Sequence, residues 1–292
     1  MSRVLVAGAD RVDAGKTTLS TALCHRLDAP GRKPRAGNDY WFDHGDYRRA
    51  VGDGRLYGTD ARRLAAASPD DPTPEDCNPV HRLWRPDPGG GRGLVGREGR
   101  QFVLDRVAGS YVVNARASVP ETAREHLPTA DAVRVDSVAE LNAVTRRRHL
   151  PALAAAAREV RGLDRVVVES YGDVARPLQG VATDGATAPG GERASDAVDG
   201  PPTDLYDRVA VVEPGRLCVY DGPRWMRACE AVGGGDSRRT GRLESRVGDV
   251  LSHVDPRSTV DLPALDGETR VDPDRVAAAY EPALDAVVGT TG

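Results

Sequence analysis

Three observations predict an α/β protein built as three layers on a mostly parallel, doubly wound sheet. Short β-branched apolar runs recur at Val4-Leu5-Val6-Ala7, Val166-Val167-Val168 and Val209 to Val212, and runs without alternation suit strands buried on both faces. Helical periods are interleaved with them, the pattern of parallel sheets, whose crossovers need a dozen or more residues. The length, 292 residues with 39% hydrophobic, is within reach of one core. The chain is therefore read as a single domain over 1–292. A loop or hairpin insertion is expected at 86–120 and a flexible insertion at 172–203, where Gly, Ala, Asp, Thr and Pro dominate.

Taken in order, Arg3 to Ala7 reads as a strand ending in Gly8, and Lys16 to Leu27 as a helix with Leu19, Ala22, Leu23 and Leu27 on one face. Ala29-Pro30-Gly31 stops that helix, and Lys33 to Ala36 is a short second strand. Residues 37–57 are polar and aromatic without period and read as a long loop. Asp60 to Ala67 is expected to be helical and is ended by the proline-rich stretch Pro69 to Pro79. Gln101 to Val107 and Tyr111 to Arg116 flank Ala108-Gly109 as a hairpin would. Val138 to Val160 reads as helix with a break at Pro151, and Arg165 to Ser170 as a buried strand ending in a carboxylate. Asp207 to Val212, Arg216 to Tyr220 and Ser258 to Leu262 are expected strands, and Leu243 to Val254 and Val271 to Val288 expected helices. No repeat occurs at solenoid periods.

Composition narrows the class. A net charge of −4 and a pI near 5.9 lack the broad basic surface of a general nucleic-acid binder. No apolar run reaches the roughly 20 residues that span a bilayer, and a cytoplasmic protein without membrane partners is expected. The four cysteines, Cys24, Cys77, Cys218 and Cys229, have no C-x-x-C spacing, so buried reduced thiols are expected in place of a zinc site. Lys16 and Lys33 are the two lysines of a chain otherwise served by arginine. A lysine kept under that bias suggests a position that a guanidinium does not fit.

Lys16 lies in the one motif with chemistry of its own. Asp10-Arg11-Val12-Asp13-Ala14-Gly15-Lys16-Thr17, followed by Thr18, matches the phosphate loop G-x-x-x-x-G-K-[ST] except that Asp10 replaces the first glycine. It stands between a strand and a helix, as such a loop requires. The spacing lets consecutive backbone N–H groups curl around phosphates at the positive end of a helix. Gly15 permits close approach, Lys16 supplies a point charge, and the Thr17 hydroxyl is a Mg²⁺ ligand. A second carboxylate is needed at another strand tip, and Glu169 after Val166-Val167-Val168 fits. Asp60 is either a further metal ligand or a helix N-cap. ATP and Mg²⁺ are the cofactors these residues imply.

In order, the loop, Gly58-Thr59-Asp60-Ala61, Asn78-Pro79-Val80, and Val166 to Asp173 with Pro177-Leu178 resemble landmarks of the dethiobiotin synthetase and cobyrinic acid synthase group of P-loop NTPases. The likeness covers roughly the first 180 residues, and the whole chain is most similar to archaeal P-loop ATPases. The resemblance implies a P-loop three-layer fold, Thr17, Asp60 and Glu169 as Mg²⁺ ligands, Lys16 as phosphate clamp, and ATP-driven ligation of a small acceptor. Departures are visible. That family carries a Lys-Pro pair where Asn38-Asp39 fall here, Lys33-Pro34 lie some five residues early, and Ser170, Tyr171 and Asp173 replace family glycines.

Two other readings share the loop. Val12 to Thr18 also resembles the loop of RNA 5'-hydroxyl kinases, which would set Asp13 near an acceptor hydroxyl. RNA would then meet a rim of Arg32, Arg35, Arg48, Arg49, Arg62 and Arg63. Alternatively Arg11 stands where septum-site and partition ATPases carry a signature lysine that reaches across a homodimer, implying a nucleotide-switched interaction module. Finally, Tyr40-Trp41-Phe42-Asp43-His44-Gly45-Asp46-Tyr47 is the densest aromatic and ionisable cluster. It reads either as a substrate loop with His44 as general base or metal ligand, or as a plug packed on the core.

Overall fold

The structure, a computed structural model, describes residues 1–9, 15–87, 96–97, 99–178, 203–240 and 245–289, with 96–97 and 233–240 as backbone only. The first elements are β1 (Ser2–Gly8), α1 (Lys16–Leu27), β2 (Gly31–Arg32), β3 (Arg35–Asp39), α2 (His44–Gly52), α3 (Thr59–Ala66), α4 (Pro74–Cys77) and β4 (Val80–Pro86). Next come β5 (Gly96–Arg97), β6 (Arg100–Val107), β7 (Ser110–Asn114), α5 (Glu121–His126), β8 (Val133–Val135), α6 (Val138–Val144), a π turn (Thr145–His149) and α7 (Leu150–Gly162). The remainder is β9 (Arg165–Glu169), β10 (Arg208–Glu213), β11 (Arg216–Asp221), α8 (Gly222–Thr240), α9 (Val247–Leu251), β12 (Ser258–Asp261), a 3₁₀ turn (Thr269–Val271), α10 (Pro273–Ala279) and α11 (Glu281–Val288).

The protein is a mixed α/β molecule with two sheets, and the chain divides into two compact units. Unit 1 holds Met1–Arg32, Ala67–Asp70 and Ala154–Gly292, while unit 2 holds Lys33–Ala66 and Asp71–Leu153. The strands expected in one mostly parallel sheet are thus shared between two mixed ones. Residues 179–202 of the expected flexible insertion, and 88–95 and 98 of the expected loop, lie outside the described residues.

In unit 1 the sheet order is β12-β11-β10-β1-β9-β2. β1 is parallel to β9 and β10, and β2 to β9, while β11 and β12 add on antiparallel. Central position explains why Val4 to Ala7 and Val166 to Val168 are apolar without alternation, since both faces are covered. β12 alternates half-buried with exposed residues, as an edge strand does. α1 packs on β1 and β9, α11 on β10 to β12, and α8 on β10 and β11. α8 begins at Gly222 because nothing larger fits, as a Cβ there would lie 1.8 Å from the Tyr206 carbonyl oxygen. The expected helix over 271–288 is instead two, divided at Tyr280. Pro282 has no N–H to continue the first helix and is favoured in the first turn of a second.

In unit 2 the order is β3-β4-β6-β7-β8, with β5 on β6. Antiparallel hairpins build its middle, and parallel pairs β3–β4 and β7–β8 flank it. Two apolar clusters fill this unit, one around Leu56, Leu83, Leu104 and Tyr111 and one around Trp84, Phe102 and Val112. The loop expected over 37–57 is corrected by β3 and α2, whose buried Tyr47, Ala50 and Val51 form a helical face hidden among charges. The expected break at Pro151 takes the form of a widened turn, with Leu150 N–H bonding Thr145 O, five residues back. Pro151 donates no hydrogen bond to the preceding turn, and the wider turn accommodates this.

Candidate functional site

In unit 1 the end of β1, the start of α1 and the tip of β9 meet. Gly15 sits at φ 87°, ψ 15°, a left-handed conformation that suits glycine, and α1 starts directly after it. Among the described residues no side chain caps this helix, and no acidic residue occupies its first turn. The first N–H groups of α1 lack intrahelical acceptors and carry the positive end of its dipole. Lys16, Thr17 and Thr18 are all buried, Lys16 only 8% exposed. Asp10, Arg11, Val12, Asp13 and Ala14 lie outside the described residues.

Thr17 and Glu169 come together from 152 residues apart, the Thr17 hydroxyl donating a 3.0 Å hydrogen bond to Glu169 Oε1 in a buried setting. Register accounts for this. Glu169 lies beside Val6 in the parallel β1–β9 ladder, and Ser170 N–H continues the ladder to Val6 O at 2.8 Å. Glu169 is 0% exposed, and a carboxylate so placed is stable only with polar or cationic company. A hydroxyl and a carboxylate are hard oxygen donors of the kind Mg²⁺ takes, with one or two carboxylates and a shell completed by water and phosphate. Among the described residues there is no group of three or more His, Cys, Asp or Glu side chains able to hold a metal ion.

Asp60 belongs to unit 2, on the first turn of α3, where its carboxylate takes the buried ammonium of Lys33. Lys16 opens a helix in unit 1, and Lys33 lies in unit 2.

The 40–47 segment splits by side. Tyr40 and Tyr47 pack against each other and the unit 2 core, whereas Trp41 and Phe42 are 66% and 69% exposed. Asp39 Oδ1 accepts hydrogen bonds from the N–H groups of Trp41 and Phe42, fixing the turn. His44 is exposed, its Nδ1 3.3 Å from Tyr40 O. Its flanking carboxylates are turned elsewhere, Asp43 to Asp39 N–H and Asp46 to Asn38 and Thr59. Of the expected arginine rim, Arg32 is paired with Glu159 and Asp70, and Arg49 with Asp46.

Two buried polar networks of unit 2 carried no sequence signal. Asp105 accepts a two-pronged bond from Arg82, 2.7 Å at each prong, and lies 2.8 Å from His149 Nε2. Burial pushes the Asp105 carboxyl up, but the Arg82 guanidinium, with hydrogen bonds from Arg82 and His149, outweighs burial and holds it below the ordinary aspartate range. His81 Nδ1 lies 3.0 Å from Asn78 Oδ1. Complete burial, assisted by Arg106 and Lys33, lowers its pKa to about 3, so the imidazole is neutral. The four cysteines are buried and form no disulfide, and burial lifts the Cys229 thiol to about 12, leaving it unreactive. No helix among the described residues is long and apolar enough to cross a membrane.

Comparison of the chain with protein-family models, with curated proteins and with solved structures finds no match.

Proposed function

We propose that unit 1 is a P-loop NTPase fold and that the chain is a Mg²⁺-dependent, ATP-binding enzyme, a hydrolase or an ATP-dependent ligase of a small acceptor. The observation that carries this reading is the buried Thr17–Glu169 contact directly behind left-handed Gly15 at the start of α1. A surface turn containing Gly-Lys-Thr by chance would have no reason to aim its threonine at a buried carboxylate on the neighbouring parallel strand. The parallel trio β9-β1-β10 with α1 packed on it supports the same reading.

In this reading the phosphates meet Gly15 and the start of α1, with backbone N–H groups and Lys16 compensating their charge. Thr17 and Glu169 would hold Mg²⁺ between them. When bound, Mg²⁺ neutralises charge on the outer phosphates and aligns them for transfer. Glu169 positions the Thr17 hydroxyl, and its full burial keeps that carboxylate ready for a cation instead of bulk water.

The test is equilibrium binding of ATP with and without Mg²⁺, together with phosphate release, for the wild type, Lys16→Ala, Thr17→Ala and Glu169→Gln. Lys16→Ala is expected to weaken ATP binding about tenfold or more, and Thr17→Ala and Glu169→Gln to remove most of the Mg²⁺ dependence. Unchanged ATP affinity in Lys16→Ala would overturn the assignment. Stimulation of phosphate release by small amines would point to a ligase, and by RNA 5' ends alone to a polynucleotide kinase. ATP-dependent dimerisation would point to a switch in which Arg11 acts across the dimer.

A further inference from the structure

We infer that unit 2 carries a separate binding site for a small organic anion, a phosphate or carboxylate group on an apolar body, in the cleft between α5 and the edge strand β8. The cleft has a volume of about 400 Å³, within the roughly 300–1,000 Å³ usual for small-molecule sites. It lies in a parallel β7–α5–β8 unit. Val113 and Val119 line it with apolar surface, while Arg124, Arg134, Ser118 and Thr129 supply every polar side chain of its lining. Arg134 is the register partner of Val113, so it stands on the same sheet face, while Arg124 reaches the cleft from the last turn of α5.

The charge balance is the argument. Most arginines near an acid in this protein are ion-paired, as Arg82, Arg32, Arg49 and Arg246 show. Among the described residues Arg124 and Arg134 have no carboxylate within 4.0 Å, and no acidic residue lines the cleft. Both guanidiniums are exposed, and two like charges lining one concavity raise its positive potential, which favours an anion there. A guanidinium presents a planar fork of N–H donors that matches carboxylate and phosphate oxygens. Ser118 and Thr129 add hydroxyls for the remaining oxygens, and Val113 and Val119 offer a surface to an apolar group rather than to a bare inorganic ion.

The probes are phenyl phosphate, benzoate, inorganic phosphate and benzyl alcohol, titrated calorimetrically and by amide resonance shifts into wild-type and Lys16→Ala protein. The Lys16→Ala background separates this site from the phosphate loop. Saturable binding of phenyl phosphate or benzoate is expected in both proteins, with shifts at Ser118, Val119 and Thr129. Inorganic phosphate should bind more weakly and benzyl alcohol not at all, and the tighter of the two aryl anions names the headgroup. Arg124→Gln and Arg134→Gln should each weaken binding about tenfold, whereas Arg146→Gln, an equal loss of charge on exposed helix surface, should leave it unchanged. Absence of saturable binding, binding abolished by Lys16→Ala, or equal weakening by Arg146→Gln would each overturn the proposal.

Discussion

His81 shows how one side chain writes a pH dependence into the fold. Its pKa falls from an ordinary 6.5 to about 3 in the folded chain, so between these values the unfolded chain binds a proton that the folded one does not. The stabilisation is complete above about pH 6.5 and is lost as pH falls toward 3, at about 1.4 kcal/mol per pH unit from this residue. Urea denaturation across that window should therefore show a shallower acid slope in His81→Gln than in the wild type. Asp105 acts further down the scale. Its depressed folded pKa gives stability present above the ordinary aspartate value and lost as pH drops through the folded one. Asp105→Asn, which leaves Arg82 and His149 without their shared anion, should cost about 3 kcal/mol at neutral pH, measured by the same denaturation. Neither network was legible in the chain. Asp105 and His149 are 44 residues apart, and only the β6 register and the π turn bring them together. The Thr17–Glu169 contact was legible because each residue belongs to a recognisable local pattern, a motif resembling a phosphate loop and an apolar run ending in an acid.

Among the elements, those with a plain apolar signal were readable. β1, α1, β9, β10 and β11 fall where unbroken valine runs or a clear helical face put them, to within a residue or two. The misses share a cause. α2 hides its apolar face among Asp, Arg and His, β8 is three residues long, and α8 runs through Gly233-Gly234-Gly235, which argues locally against a helix. α8 is decided instead by its first residue, where Gly222 N–H bonds Asp207 O at 3.1 Å and the Tyr206 carbonyl fills the place of a side chain. Gly222→Ala must push backbone against backbone. A loss of about 3 kcal/mol or more is expected, or failure to accumulate folded protein, read by thermal unfolding. At Gly15, by contrast, a Cβ would meet nothing within 4 Å among the described residues, and the obstacle they show is the left-handed backbone. Gly15→Ala should cost only about 1–2 kcal/mol in stability, while its effect on ATP affinity follows the proposed loop.

For the molecule as a whole, α/β class was evident from the alternation of apolar runs and helical periods, whereas the division into two sheets was not. Nothing in composition marks Lys33 or Leu153 as a boundary between units; the boundary is made by which strands pair, and pairing is set by contacts between distant residues. The three tryptophans offer a way to follow each unit. Trp225 is fully buried in unit 1, and Trp84 and Trp41 belong to unit 2. If ATP binds unit 1, the unfolding transition reported by Trp225 in a Trp41→Phe, Trp84→Phe protein should move upward with Mg²⁺-ATP. At about 100 times the dissociation constant the expected gain is about 2.7 kcal/mol. Lys16→Ala should remove that gain.

The central place of β1 also governs how the chain must be made. Arg3 N–H is held by the carboxylate of Asp207, 204 residues later, and both flanking strands come from the far half of the sequence. At ribosomal speeds of about 5–20 residues per second, roughly 10–40 s pass before that pairing can form. Through that interval Val4-Leu5-Val6-Ala7 leaves the exit tunnel as a sticky strand without neighbours, while most of unit 2 is already synthesised. Newborn chains should therefore depend on holding chaperones at β1, and refolding from denaturant should be slowest in the step that closes unit 1.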